Sequence, residues 1–157
     1  MNWQDIKNNV YFLDGSYRDI YILNTTKEDW KVWADFVNSN YKTSFFIHET
    51  QIREEKIDMN KVLDYWNGKF NNCSTASVFL GNIIVNAHFF DDEQIENDIT
   101  PTEINSIEDH NRLIRYMTEL SNVLQKNVFL TPENEPEIVL ISVKNNNVKI
   151  NLDYFDR

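Results

Sequence analysis

Glycine, proline and cysteine are all scarce in this chain: its 157 residues hold three glycines, three prolines and the single cysteine Cys73. With so few glycines there is no phosphate-cradling P-loop, no dinucleotide fingerprint and no Gly-x-Ser-x-Gly elbow. Few glycines and prolines also leave little room for long flexible linkers, so one domain over residues 1–157 is expected. One cysteine cannot close an intramolecular disulfide, so stability does not call for an oxidising compartment. Purely apolar runs are only a few residues long, far short of the ~20 a membrane span needs. The opening Met-Asn-Trp-Gln-Asp has no basic segment leading into an apolar one, so no secretory signal and a soluble, cytoplasmic protein are expected.

The most informative absence is of positive charge. Between Lys69 and Arg112 lie 42 residues without a Lys or Arg, and they carry Asp91, Asp92, Glu93, Glu96, Asp98, Glu103, Glu108 and Asp109. These eight carboxylates account for -8 of the formal net charge of -10. A field concentrated in this way attracts a basic partner and repels nucleic acid and anionic membranes. The 15 basic residues are scattered and form no stripe, which argues the same way.

What is present is enough for a core. Hydrophobic residues make up 41% and aromatics 13% of the chain, which argues against disorder. Val10 to Leu13 and Arg18 to Leu23 read as a hairpin around Asp14-Gly15-Ser16. Thr25, with Glu28 three residues on, reads as a capping box for a helix whose apolar face is Trp30, Trp33, Ala34 and Val37, ending at Asn38-Ser39-Asn40. Thr43 to Glu49 is strand-like. Asp58 is the expected cap of a short helix burying Val62, Leu63 and Trp66 and stopping at Gly68. Ser74 to Leu80 and Ile83 to Phe90 form a second hairpin through Gly81-Asn82. Asp91 to Asn105 reads as the longest loop. Ser106 caps a helix over 107–126 with the stripe Leu113, Met117, Leu120 and Leu124. Val128 to Leu130, Ile138 to Val143 and Val148 to Leu152 close the chain as strands, leaving Asp153 to Arg157 unassigned. Short turns between neighbouring strands imply an α+β fold, a mainly antiparallel sheet with about three helices packed on it.

Chemistry-bearing patterns are weak beside the charge. His88 precedes Asp91 and Asp92, but the run lacks the alternating carboxylates and the glycine of a calcium loop. Cys73, His48, His88 and His110 show no paired spacing for zinc. Cys73 with His88 or His110 could make a thiolate pair in the fold, although a lone cysteine is more often a small buried hydrophobe. Carboxylate pairs can be picked at will from 25 acidic residues and so indicate nothing. No catalytic residue, metal or cofactor is expected.

In these respects the chain resembles bacterial toxin-immunity proteins of contact-dependent or polymorphic toxin systems: small, acidic, cysteine-poor, asparagine-rich α+β chains without catalytic signatures. The resemblance is one of class, covers the whole chain and transfers no individual residue. It implies a stoichiometric inhibitor of a basic toxin domain, a nuclease above all, whose acidity matches the basicity of its target. The expected binding face is Asp91, Asp92, Glu93, Glu96 and Asp98, flanked by Glu103, Glu108 and Asp109, with Phe89, Phe90 and Ile95 as apolar anchors. Glu108 and Asp109 equally suit the electrostatics of a helix start. The alternatives are a non-inhibitory adaptor binding through a sheet edge, and a small hydrolase using Cys73 or paired carboxylates.

Overall fold

The structure, a computed structural model, describes residues 2–153. Its first element corrects the sequence reading. The Asn2 side chain accepts from the Asp5 N–H at 2.8 Å and caps a helix, α1 (Trp3–Asn9), where none is expected. Residues 10–17 follow as bends and irregular chain, so the strand Val10–Leu13 does not form.

Arg18 supplies the physical reason. Its side chain is fully buried, and it takes carbonyls that a hairpin would have spent on pairing. Nε donates to Val10 O at 2.8 Å, Nη1 to Tyr17 O at 3.0 Å, and Nη2 to Phe12 O. The Phe12 ring lies 3.9 Å from the guanidinium carbon and the Asp14 carboxylate 3.6 Å from Nη1. The segment is wound around a cation.

The remaining elements are β1 (Arg18–Leu23), α2 (Lys27–Asn40), β2 (Lys42–Ile47), β3 (Ile52–Glu54), α3 (Met59–Trp66), β4 (Thr75–Leu80), β5 (Ile83–His88), β6 (Gln94–Ile99), a 3-10 turn (Pro101–Glu103), α4 (Ile107–Leu124), β7 (Val128–Pro132), β8 (Ile141–Lys144) and β9 (Asn147–Ile150). Most local signals hold. Asp58 and Ser106 cap α3 and α4 as expected. Gly81 has φ +63° while Asn82 stays out of the left-handed region, as a type II′ turn requires. The capping box of α2 falls one residue later than its sequence reading, on Thr26 and Asp29. Thr25 instead bonds the acidic turn, its Oγ1 donating to Asp92 O at 2.7 Å and its N–H to Glu93 O at 2.9 Å. The last four residues of the tail lie outside the described chain.

All nine strands join one antiparallel sheet in the order β3-β2-β4-β5-β6-β1-β7-β8-β9. The α+β class stands, with four α-helices among the described residues. The largest correction concerns the supposed loop from Asp91 to Asn105, because its middle is β6, a central strand between β5 and β1. Ile95, Asn97 and Ile99 are buried while Gln94, Glu96 and Asp98 between them are half-buried, the period-two signature of a strand with one face on the core.

The core lies on one side of this sheet. Trp30, Trp33, Ala34 and Val37 of α2 and Leu113, Met117, Leu120 and Leu124 of α4 are buried with Ile20, Ile22, Phe45, Val78, Val85, Ile95, Leu130 and Val143. Trp30 meets Trp33, Trp66 and Phe89 at ring separations of 5.4, 5.8 and 5.1 Å, a cluster that binds α2 and α3 to the end of β5. Trp33 Nε1 donates to Tyr116 Oη at 3.1 Å, and Tyr116 Oη to Asn97 Oδ1 at 2.7 Å. This chain of polar contacts through the core holds β6 in register against both long helices.

Replacing Arg18 with Met leaves the buried Val10 carbonyl and the part-buried carbonyls of Phe12 and Tyr17 without this donor, at about 1–3 kcal/mol for each that water does not reach. Urea unfolding of Arg18→Met should therefore show a loss of at least about 3 kcal/mol. A loss below about 1 kcal/mol would mean that water replaces the guanidinium.

Candidate binding site on the open sheet face

Register assigns side chains to the face opposite the helices. Asp19 of β1 stands opposite Asp98 of β6, and Tyr21 opposite Glu96. Across β6, Asn86 and His88 of β5 stand opposite Asp98 and Glu96. The pleat therefore gathers Asp19, Tyr21, His88, Glu96 and Asp98 onto one patch in the middle of the sheet. Glu133 and Asn134, just after β7, come over its edge: Asn134 donates its N–H to Asp19 Oδ2 at 2.8 Å, and Glu133 accepts from the Tyr17 N–H at 2.8 Å. Together with Tyr17 and Phe90, the carboxylates, His88 and Asn134 line a shallow concavity of about 200 Å³.

Its hydrogen bonds are dense. His88 Nε2 and Asp98 Oδ2 lie 2.5 Å apart, and Asn86 Nδ2 donates to Asp98 Oδ1 at 3.1 Å. Tyr21 Oη is 3.1 Å from Asp19 Oδ2 and 3.3 Å from Glu96 Oε1, and its one proton can serve only one of them at a time. Phe90 lies flat against His88, with ring centroids 5.5 Å apart and planes 12° apart, and is 61% exposed.

The electrostatics follow from crowding. Burial holds the Asp19 carboxyl above its ordinary range, and the charges of Asp98 and Glu133 add to the rise. Burial also raises Glu96, with the Asp19 charge adding to it. His88 is raised chiefly by its hydrogen bond to Asp98. Tyr21 is pushed up by burial and by its two carboxylate neighbours. Four carboxylates against one imidazole leave a negative patch with no Lys or Arg among the described residues that line it, and a planar guanidinium would offer it forked donors and a flat face for Phe90.

The acidic segment is therefore divided in space. Asp91, Asp92 and Glu93 form the turn before β6, and Glu96 and Asp98 lie on the open face. Glu103 accepts from the Ile84 N–H at 3.2 Å. Asp109 is buried at the start of α4, where it accepts from the Asn105 N–H at 3.0 Å and pairs with Arg112 at 2.8 Å, and Glu108 is exposed in the same turn. Those two carboxylates serve the helix start. Of the three expected anchors, Phe89 and Ile95 are buried in the core and offer no surface to a partner, whereas Phe90 does. Asp19, Tyr21, Glu133 and Tyr17 join the site without having been singled out from sequence. The alternation Ile95, Asn97, Ile99 against Glu96, Asp98 was the available signal for the strand, and Asp19 and Tyr21 alternate with Ile20 and Ile22 in the same way.

The other two histidines and the cysteine lie apart from this patch. His110 is buried, its Nδ1 2.7 Å from Tyr11 Oη, with Trp3 and Tyr11 rings beside it. Burial lowers it to about 4. His48 Nε2 lies 3.3 Å from Thr75 Oγ1, and Cys73 shares a surface depression with His48, Gln51 and Asn72. Among the described residues no group of three or more His, Cys, Asp or Glu is arranged to hold a metal ion, and no helix is long and apolar enough to cross a membrane.

No family model, curated protein or solved structure matches the chain, so its function is read from this geometry.

The raised groups share one sign. Where a folded pKa is raised, the folded protein holds protons that the unfolded chain has released, so stability is lost as pH rises through the folded value. Asp19 and Glu96 act in this way above the ordinary carboxylate range, and His88 above 6.5. Histidine ring signals followed by NMR should show His88 titrating above 6.5, and Asp98→Asn should remove that rise. In the same titration His110 should stay neutral to near pH 4, since its folded form refuses the proton that the unfolded chain accepts. A His88 midpoint unchanged by Asp98→Asn would contradict the pairing.

Proposed function

We propose that this protein is a stoichiometric binder of a basic protein, acting as an immunity protein that neutralises a toxin domain of nuclease type. The supporting observation is the convergence of Asp19, Glu96, Asp98 and Glu133 on a helix-free part of the sheet, beside the exposed aromatic side chains of Phe90 and Tyr17. Carboxylates presented in this way imitate the phosphates that a nuclease grips with Arg and Lys. Isolated rim pairs contribute only ~0.2–1 kcal/mol each. Tight inhibition therefore depends on desolvating several of them around an anchor, the place that Phe90 and Tyr17 occupy here. Asp91, Asp92 and Glu93 at the neighbouring turn add long-range attraction, which raises the encounter rate more than the final affinity.

A low-salt pull-down from the source cell's lysate tests this with three baits: the native chain, Glu96→Gln/Asp98→Asn/Glu133→Gln, and Glu108→Gln. The native and Glu108→Gln baits should retain a basic protein that added salt releases, and the open-face variant should lose it. The eluted protein should carry nuclease activity that the purified native chain abolishes at a one-to-one ratio. Equal retention by all three baits would move the interface off this face and favour an adaptor binding at a sheet edge. An eluted protein without activity to inhibit would contradict the immunity role.

A further inference from the structure

The acidic concavity lies at the C-terminal end of β5. At the other end of that strand, the β4–β5 turn meets α4 and the last turn of α2, and a cavity of about 250 Å³ opens there. Its lining differs in chemistry: Tyr41, Phe79, Arg112, Arg115 and Glu119, with Gly81 of the turn. Arg112 and Arg115 are the only Lys or Arg residues between Lys69 and Lys126, and their i, i+3 spacing puts them on one side of α4.

We propose that this cavity binds a small organic anion, a carboxylate or phosphoryl group on a flat apolar body, gripped by Arg112 and Arg115 and seated against Tyr41 and Phe79.

Each arginine is steered by an acid but not used up by it. Arg112 gives Nη1 to Asp109 at 2.8 Å, and Arg115 gives Nε to Glu119 at 2.8 Å. The other guanidinium nitrogens make no hydrogen bond among the described residues, which leaves two partly free forks at one cavity. Asp109 and Glu119 offset the two guanidinium charges, and Lys42, its Nζ 5.6 Å from the Phe79 ring centroid, adds one cation nearby, so recognition rests chiefly on directed donors. The aromatic wall is held rigidly: Tyr41 packs edge-on against Phe36 and Tyr116, both at 5.9 Å, and its Oη donates to Glu119 at 3.2 Å. Gly81 allows the approach of Arg112, because a Cβ built there would lie 3.3 Å from Arg112 Nε. The volume is just below the ~300 Å³ at which drug-sized pockets begin, which limits the ligand to roughly one ring with its acid group.

The test is an NMR titration of backbone amides with phenyl phosphate and with benzoate, using inorganic phosphate and neutral benzamide as controls. One or both aryl anions should shift the Tyr41, Gly81 and Arg112 amides saturably, and the stronger of the two identifies the anion chemistry. Arg112→Gln/Arg115→Gln should weaken that binding by about tenfold or more, while the amides of β6 stay unmoved. Arg115 is exposed and Arg112 half-exposed, and unchanged core amides will show that the fold survives loss of the ion pair to buried Asp109. Saturation by benzamide, equal binding in the double variant, or no saturable shift by either aryl anion up to about 10 mM would overturn the assignment. Inorganic phosphate binding as tightly as phenyl phosphate would overturn the part given to the aromatic wall. The site is independent of the basic partner, and the open-face variants do not touch it.

Discussion

The pleat of β6 is the constraint on which the rest depends. Six residues, Gln-Ile-Glu-Asn-Asp-Ile, occupy a central position in a nine-stranded sheet, and every second one must face the helices. Ile95 and Ile99 satisfy that face by burial, while Asn97 accepts from Tyr116, itself held by Trp33, through Oδ1 and leaves its buried Nδ2 without a partner among the described residues. Glu96 and Asp98 are thereby forced to the other side. A slip of one residue would drive two carboxylates into the core beneath α2 and α4, so register is strongly specified. The acidic patch is a geometric consequence of how the core is filled.

The patch is crowded enough to be costly. Asp19 is hydrogen-bonded and still above its ordinary pKa, because burial penalises its charge and Asp98 and Glu133 add their repulsion. His88 relieves part of this from β5 through its contact with Asp98. A folded protein that holds several like charges together is balanced against its own stability, and such arrangements concentrate at functional sites. A cationic partner would relieve the same repulsion that folding tolerates. The two ends of β5 also differ in kind: carboxylates and a stacked aromatic pair at one, arginines and aromatic walls at the other.

Much of this was legible in the chain, and the failures have particular causes. The caps Asp58 and Ser106, the apolar faces of α2 and α4, and the turn at Gly81 are local signals, and they held. The first hairpin failed because Arg18 takes its carbonyls from six to eight residues away, a tertiary arrangement with no local mark. β6 was hidden by its charges, since Asp and Glu are depleted in strands and the alternation of Ile95, Asn97 and Ile99 has a polar middle member. Reading the acidic run as one surface failed for the same reason. Contiguity along the chain became separation in space once a strand and a helix start were cut from it, while Asp19 and Glu133 arrived from elsewhere in the sheet. Burial of Phe89 followed from its role in the Trp30 cluster.

The central claim is that Glu96 and Asp98 on the open face, and not the acidic turn before them, carry the contact with a basic partner. Association and dissociation rates measured across a range of salt separate the two, comparing the native chain with Glu96→Gln/Asp98→Asn and with Asp91→Asn/Asp92→Asn/Glu93→Gln. The account predicts that the turn variant slows association and flattens its salt dependence with little change in dissociation, while the open-face variant speeds dissociation by tenfold or more, about 1.4 kcal/mol. Dissociation unchanged in the open-face variant but accelerated in the turn variant would contradict it.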